Sequence, residues 1–149
     1  MKFIIEIIAT VFFIGYLPAG GTLATLFSFP LVIWINTQNI VVKMILVFIV
    51  GFVSVIISGF AEKEIFKKKD DKKIVVDEIF GFIIAMLEIE IKNLGVLFLG
   101  FFIFRILDIY KLGVIKKIQN LNSAVGVVAD DFLCGIITNI ILRILLIWL

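Results

Sequence analysis

The chain has 149 residues, 62% of them hydrophobic, with a mean hydropathy of +1.23. A single domain over residues 1–149 fits this length, but a soluble domain of this size cannot bury so much apolar surface, so the composition predicts a membrane protein. The net charge of +2 gives no indication of a nucleic-acid partner. The absence of histidine excludes histidine-based acid–base catalysis and histidine metal ligands, and the single cysteine excludes an intrachain disulfide.

The first apolar segment is interrupted early. Residues 3–15 are apolar except for Glu6 and Thr10, and the stretch GYLPAGG at 15–21 follows them. Three glycines and a proline within seven residues break a helix, so we predict a broken N-terminal segment that resumes over residues 22–35. The start has the charge and apolar run of a signal peptide. Because Glu6 interrupts that run and no small-residue cleavage site follows, we expect the segment to be retained.

Longer apolar runs make up the rest of the chain. Residues 40–60 are long enough to cross a hydrocarbon core of roughly 30 Å as a helix. The strongly polar segment 61–73 contains six lysines and four acids. Further apolar runs follow at 74–91, 96–109 and 125–149. Since isolated strands cannot cross lipid, we predict an all-α polytopic membrane protein, a small bundle of about four to five membrane helices.

The lysines predict an orientation for this bundle. The segment 61–73 and the cluster formed by Lys111, Lys116 and Lys117 both belong in the cytoplasm by the positive-inside rule. In this topology four polar regions come to the cytoplasmic side, namely GYLPAGGT, residues 61–81, residues 105–111 and the pair at 130–131. Hydropathy and lysine counting therefore predict that the polar features of the chain converge at one face.

Acidic residues occur in three clusters: Asp77–Glu78, Asp108 and Asp130–Asp131. Acids at the edge of a bilayer are costly unless they are paired, solvated or bound to a metal. Either pair has a simpler alternative, which is to begin a helix, where negative charge is favourable. An oxygen-rich set without histidine favours a hard cation. Mg²⁺ fits best because it accepts one or two carboxylates, waters and substrate phosphate.

Three charges interrupt the apolar stretch FRILDIYK at 104–111. In a helix Arg105, Asp108 and Lys111 lie on one side at i, i+3 and i+6. They form either an ion-pair ladder at the membrane surface or two phosphate-binding cations flanking a metal-binding carboxylate. Likewise, GYLPAGGT is either a helix cap or kink, or a phosphate cradle in which glycine lets backbone N–H groups approach an anion.

Four short motifs follow one another along the chain: PAGGTLAT at 18–25, IVVDEIFG at 74–81, FRILDIYK at 104–111 and GVVADDFLCG at 126–135. They resemble the motifs PxAPGTxGS, IVxDExxG, FRxxDxxKPxPI and GxxxDDxxAG of the phosphatidylglycerophosphatase A family, and the resemblance covers about residues 10–140. This chain departs from the pattern at Gly20, at Ala24-Thr25, at Cys134 and after Lys111, where the prolines are missing. The changes to the glycine segment and the missing prolines bear on loop rigidity and lipid selectivity more than on the chemistry.

The resemblance implies a Mg²⁺-dependent lipid phosphatase of the inner (cytoplasmic) membrane, with its active site facing the cytoplasm. Such an enzyme hydrolyses phosphatidylglycerophosphate to phosphatidylglycerol and phosphate in glycerophospholipid biosynthesis. The implied metal ligands are Asp77, Glu78, Asp130 and Asp131. The implied catalytic residues are Asp108, Arg105, Lys111 and Asp77. The implied substrate-binding residues are Gly21, Thr22, Thr25, Arg105 and Lys111. Direct attack by water is the simpler mechanism, and an aspartyl-phosphate intermediate is the alternative.

Other functions remain open at the level of sequence. A CDP-alcohol phosphotransferase would carry a DGxxAR signature, which this chain lacks. A non-enzymatic small transport or structural membrane protein would use the acids as ion pairs, and Asp77→Asn or Asp131→Asn would then change stability rather than activity. A family member acting on a different lipid phosphate is the third alternative. The sequence gives no indication of the oligomeric state.

Overall fold

The computed structural model describes residues 2–68, 71–110 and 124–148, with side chains in the last range from residue 126 onward. Within these ranges the chain forms helices and no strand, so the all-α prediction is confirmed. The helices are α1 (Lys2–Ala9), a 3₁₀ helix (Ile14–Tyr16), α2 (Gly20–Phe27), α3 (Phe29–Asn36), α4 (Ile40–Phe60), a π-helical turn (Ala61–Phe66), α5 (Val76–Ala85), α6 (Leu94–Tyr110) and α7 (Ala124–Trp148).

The N-terminal break is present but begins earlier than the glycines indicate. Helix α1 ends at Ala9, and the next three residues after Thr10 adopt left-handed backbone angles, with φ of 48°, 53° and 67° at Val11, Phe12 and Phe13. The Thr10 hydroxyl donates to the Glu6 carbonyl at 2.7 Å and accepts from the Phe13 N–H at 3.1 Å. The Phe13 N–H thus bonds to a side chain rather than to the Ala9 carbonyl, which accepts from the Val75 N–H instead. The Phe3 and Phe13 rings lie 6.2 Å apart, so the chain has turned back before it reaches Gly15.

Two helical stretches, Ile40–Phe66 and Gly126–Trp148, are long and apolar enough to cross a membrane by length and composition. The other predicted runs form shorter helices. The run at 74–91 yields only the ten-residue α5, because the chain leaves the helix after Ala85 and Glu88 adopts a positive φ of 58°. Helix α6 has 17 residues, at the lower limit for a spanning helix.

Helix α5 lies at the centre of the bundle and runs parallel to α7. A Cβ atom added to Gly135 would lie 2.4 Å from the Gly81 carbonyl oxygen, and one added to Gly81 would lie 2.7 Å from the Asp131 carbonyl oxygen. Further along both helices, the Asn139 side chain donates to the Ala85 carbonyl at 3.0 Å. The contacts advance together along the two helices, and the two glycines allow their backbones to touch.

Helices α4 and α6 run opposite to α5. In α4, Lys43 forms an ion pair with Glu88, which lies just after the end of α5. Further along α4, the Ser54 hydroxyl donates to the carbonyl of Val76, the first residue of α5, at 3.4 Å. In α6, Gly100 packs against Met86 after the end of α5, and Phe104 lies beside Gly81. The starts of α5 and α7 therefore lie together with the end of α6 at one end of the bundle.

Candidate active site

A cavity of about 510 Å³ opens at this end of the bundle, between α5, α6, α7 and the glycine segment 15–21, whose last two residues begin α2. The carboxylates singled out from the sequence line it together: Asp77, Glu78, Asp108, Asp130 and Asp131. Arg105, Lys72 and three glycines of the N-terminal region (Gly15, Gly20 and Gly21) also line it. The structure therefore brings together residues that lie more than 100 positions apart in the chain.

The pair Asp77–Glu78 occupies the first turn of α5. Negative charge is favourable there, because the first N–H groups of a helix lack helical partners. Asp77 is buried, and one of its carboxylate oxygens accepts from the Glu78 N–H at 3.1 Å. The interpretation of this pair as a helix start is compatible with a site role, since both residues also line the cavity.

The pair Asp130–Asp131 has a different setting. Helix α7 begins at Ala124, so this pair lies in its second turn, beyond the residues that a helix start explains. Both side chains are buried, with Asp131 only 4% exposed. The Asp131 Oδ1 atom is buried and has no hydrogen-bond partner among the described residues. Such an oxygen costs about 1–3 kcal/mol unless a ligand satisfies it.

Arg105 is held between two of the acids. Its Nη1 donates to Asp108 Oδ2 at 2.6 Å and to Glu78 Oε1 at 3.2 Å, and its side chain is 12% exposed. The ion pair with Asp108 at i, i+3 is the ladder contact that the spacing predicts. The Nε–H of Arg105 is buried with no acceptor within the described ranges. The guanidinium is thus fixed in place while one of its donors is left over.

The glycine segment approaches the acids closely. A Cβ atom at Gly21 would lie 1.8 Å from Glu78 Oε1, so a side chain at this position would displace the carboxylate that holds Arg105. The Thr25 hydroxyl donates to the Gly21 carbonyl at 2.8 Å, inside α2. Thr22 and Thr25 are not among the described residues that line the cavity, so their predicted substrate contacts remain predictions.

Two lysines bear on the positive charge of the site. Lys111, predicted to bind substrate phosphate, lies outside the described residues. Lys72 lines the cavity, although sequence reasoning counted it only as one of the lysines that orient the chain. The only signal in the sequence is that Lys72 lies five residues before Asp77. The neighbouring lysines are similarly close to Asp77, so the sequence does not show which of them lines the cavity.

The donor set fits Mg²⁺. The lining side chains offer carboxylate oxygens, which are the ligands that this hard cation prefers. Within the described ranges no three carboxylates already form a complete metal-binding group. Mg²⁺ held by one or two of these carboxylates, with water and phosphate as its other ligands, would agree with this finding and with the usual manner of Mg²⁺ binding. The buried Asp131 Oδ1 is an acceptor that such a cation would satisfy.

Comparison with known proteins identifies the family to which the chain belongs. The family model for phosphatidylglycerophosphatase A matches residues 7–146. The chain belongs to the phosphatidylglycerophosphatase A family. A curated protein from Bacteroides thetaiotaomicron, provisionally named phosphatidylinositol-3-phosphatase, is 32% identical over 78 residues, which are 51% of this chain and 49% of the relative. The chain thus aligns with about half the length of this relative. No solved structure matches the chain. Both names support a phosphatase.

Proposed function

We propose that this chain is a Mg²⁺-dependent lipid phosphatase that hydrolyses phosphatidylglycerophosphate to phosphatidylglycerol and phosphate. One observation carries the proposal beyond the family. Two residues that line the same cavity each have one buried polar atom, Arg105 Nε and Asp131 Oδ1, with no partner among the described residues. An anion would satisfy the donor and a cation would satisfy the acceptor. A phosphate group with its bound Mg²⁺ supplies both.

The anion-binding side is built around Arg105. Two carboxylates fix its Nη1, so the guanidinium is oriented before substrate arrives and loses little freedom on binding. Its Nε–H donates to a phosphoryl oxygen and stabilises the charge that spreads over those oxygens in the transition state. In this scheme Asp108 positions Arg105, and Lys111 adds a second positive charge.

The cation-binding side is formed by the acids of α5 and α7. Asp77, Glu78, Asp130 and Asp131 would hold Mg²⁺ directly or through water. When bound, Mg²⁺ would polarise the phosphoryl oxygens and offset their charge. A carboxylate at this side accepts the proton of the attacking water while the oxygen of that water bonds to phosphorus and the bond between phosphorus and the glycerol oxygen breaks. The glycerol oxygen then takes up a proton and leaves as the hydroxyl of phosphatidylglycerol. Trapping a phosphorylated aspartate would overturn this water-attack version.

In the proposed setting the substrate is reached from the membrane. The two stretches Ile40–Phe66 and Gly126–Trp148 cross the bilayer. Helix α6 and the apolar stretch Gly20–Asn36 bring the number of membrane helices to four. The cavity then opens at the cytoplasmic face of the inner membrane, on the side of the lysine-rich segment 61–73. A lipid phosphate at that surface lies level with the carboxylates.

The test is phosphate release from phosphatidylglycerophosphate by detergent-purified protein, with Mg²⁺ and after chelation. We expect release that depends on Mg²⁺ and is lost in Asp77→Asn. Glu90→Gln is the matched control, because Glu90 is exposed and is not among the described residues that line the cavity. A folded wild-type protein that releases no phosphate in the presence of Mg²⁺ would contradict the proposal. If Asp77→Asn changed only thermal stability, the non-enzymatic alternative would stand.

A different lipid phosphate is the second candidate, and the provisional name of the Bacteroides relative favours it. Phosphatidylinositol 3-phosphate shares two features with phosphatidylglycerophosphate, a phosphodiester to the diglyceride and a phosphomonoester on a polyol. The same assay with both lipids at equal mole fraction decides between them. A higher kcat/KM for the inositol lipid would replace the proposed substrate while keeping the reaction class.

A further inference from the structure

The short loop before α5 is fixed at the edge of the cavity. Asp71 begins it with a turn, in which its carbonyl accepts from the Ile74 N–H at 2.8 Å and its carboxylate accepts from the Lys73 N–H at 3.1 Å. The Val75 N–H then donates to the carbonyl of Ala9, the last residue of α1, at 2.9 Å. The turn and this bond to α1 determine where the residues between them lie.

Contacts of Lys73 hold the same loop on the side facing the N-terminal region. Its ammonium lies 5.1 Å from the centroid of the Tyr16 ring and 5.3 Å from that of the Phe66 ring, which are cation–π distances. Its carbonyl packs against Gly15, where a Cβ atom would lie 2.0 Å from the oxygen. The Tyr16 hydroxyl in turn donates to the Glu6 carboxylate. The backbone on either side of Lys72 is therefore held by contacts that do not involve the Lys72 side chain.

Lys72 itself lines the cavity and is exposed. Its ammonium forms no ion pair with any residue that the structure describes. Arg105, by contrast, is nearly buried and committed to Glu78 and Asp108. Among the described residues, the cavity thus has one cation in its depth and one at its edge, and the two differ in burial and in the carboxylates they contact.

We propose that Lys72 binds the phosphodiester of the substrate headgroup and thereby selects lipids that carry a phosphodiester as well as a terminal phosphomonoester. This inference rests on the proposed function. When the phosphomonoester lies against Arg105, the phosphodiester lies between it and the acyl chains, hence towards the exposed edge of the cavity. Five lining carboxylates would repel a second anionic group unless a cation meets it there. An ammonium, a compact and well-hydrated point charge, suits an exposed position of this kind.

The variant Lys72→Gln tests the assignment, with inhibition of the hydrolysis by two probes. Short-chain phosphatidylglycerol keeps only the phosphodiester, and inorganic phosphate resembles only the phosphomonoester. We expect Lys72→Gln to raise KM for phosphatidylglycerophosphate and the inhibition constant of phosphatidylglycerol about tenfold each, the loss of one charge-assisted contact. We expect kcat and the inhibition constant of phosphate to stay within about twofold, and Lys72→Arg to restore most of the affinity.

Lys68→Gln is the matched control, since Lys68 is exposed in the same connection and is not among the described residues that line the cavity. If both lysine variants raise KM equally, the effect is a general surface charge and the assignment is wrong. It is also wrong if Lys72→Gln weakens both probes equally or neither. Calorimetric titration of phosphatidylglycerol into wild type and Lys72→Gln gives a readout without turnover. If wild type releases no phosphate yet binds this lipid about tenfold more tightly than the variant, the proposed function fails and the binding role of Lys72 stands.

Discussion

The two ends of α5 both gather polar side chains, but they use them in opposite ways. At the C-terminal end two side chains of α7 donate to the carbonyls at and just after the end of α5. Asn139 donates to the carbonyls of Ile84, Ala85 and Leu87, at 3.3, 3.0 and 2.8 Å, and Arg143 donates to those of Leu87 and Glu88. At the N-terminal end, residues that line the cavity retain a buried donor and a buried acceptor without partners among the described residues. Polar groups at one end stabilise the fold, and at the other they are left for a ligand.

The largest effect is expected for Asp131→Asn at the cavity end. The substitution keeps the shape of the side chain and removes its charge, so we expect activity to fall about 100- to 1000-fold. Because Asp131 is buried near four other carboxylates, thermal stability should be unchanged or slightly higher. Activity and the unfolding midpoint, measured on the same preparation, check both parts. Equal loss of both would place Asp131 with the structural residues.

The converse substitution lies at the other end. Asn139→Ala removes three hydrogen bonds to carbonyls at the end of α5 and frees the Arg143 Nε, whose partner at 2.8 Å is Asn139 Oδ1. We expect the free energy of unfolding to fall by about 1–3 kcal/mol. Activity per folded molecule should remain at the wild-type level. A specific loss of activity at full stability would mean that the two ends are coupled.

Gly21→Ala tests a single contact at the cavity end, the one between Glu78 and Arg105. The added methyl group would lie 1.8 Å from Glu78 Oε1 and push that carboxylate away from Arg105. We expect kcat to fall about tenfold with little change in KM, since a misplaced cation affects the transition state more than the bound substrate. Steady-state kinetics test this. Wild-type kcat in the variant would mean that Glu78 does not position Arg105.

The smallest effect is expected for Tyr16→Phe, which keeps the ring under Lys73 and removes the hydroxyl. The hydrogen bond to the Glu6 carboxylate, with a contribution from burial, raises the pKa of Tyr16 to about 12. A raised folded-state pKa stabilises the protein below the ordinary tyrosine pKa of about 10, and that contribution disappears as the pH rises towards 12. Tyr16 is 46% exposed, so the contribution is modest.

Unfolding midpoints of wild type and Tyr16→Phe between pH 7 and 11 check this dependence. The wild type should be slightly more stable at neutral pH, and the difference should shrink above pH 10. A difference that is constant with pH would show that the hydroxyl bond does not depend on the charge state of Tyr16.

Much of the site was predictable because acids are conspicuous in an apolar chain. Asp77, Asp108 and Asp131 stood out from their neighbours, and their clustering followed from hydropathy and lysine placement. The all-α class followed from the same runs. The catalytic and metal-binding roles remain predictions, as does the role of Lys111.

Other features depend on tertiary contacts that local sequence does not encode. No propensity predicts three left-handed residues at 11–13. There the Ala9 carbonyl accepts from the distant Val75 N–H, and the Phe13 N–H bonds to the Thr10 hydroxyl. In the sequence Asn139 is one residue within an apolar helix. Its role depends on the end of α5 lying beside it, where it donates to the Ala85 carbonyl. Lys72 could not be separated from its neighbours, since lysines of one loop are chemically identical until the loop is folded.

The contact between α5 and α7 bears on how the enzyme would respond to its bilayer. Because the two backbones touch at Gly81 and Gly135, a change in membrane thickness that tilts one helix must tilt the other with it. The acids of both helices then move as one rigid block. Helix α6 is joined to that block by the buried Phe104 ring beside Gly81 and by the ion pair between Arg105 and Glu78, so a tilt of α6 relative to α5 would act on the contact that orients Arg105.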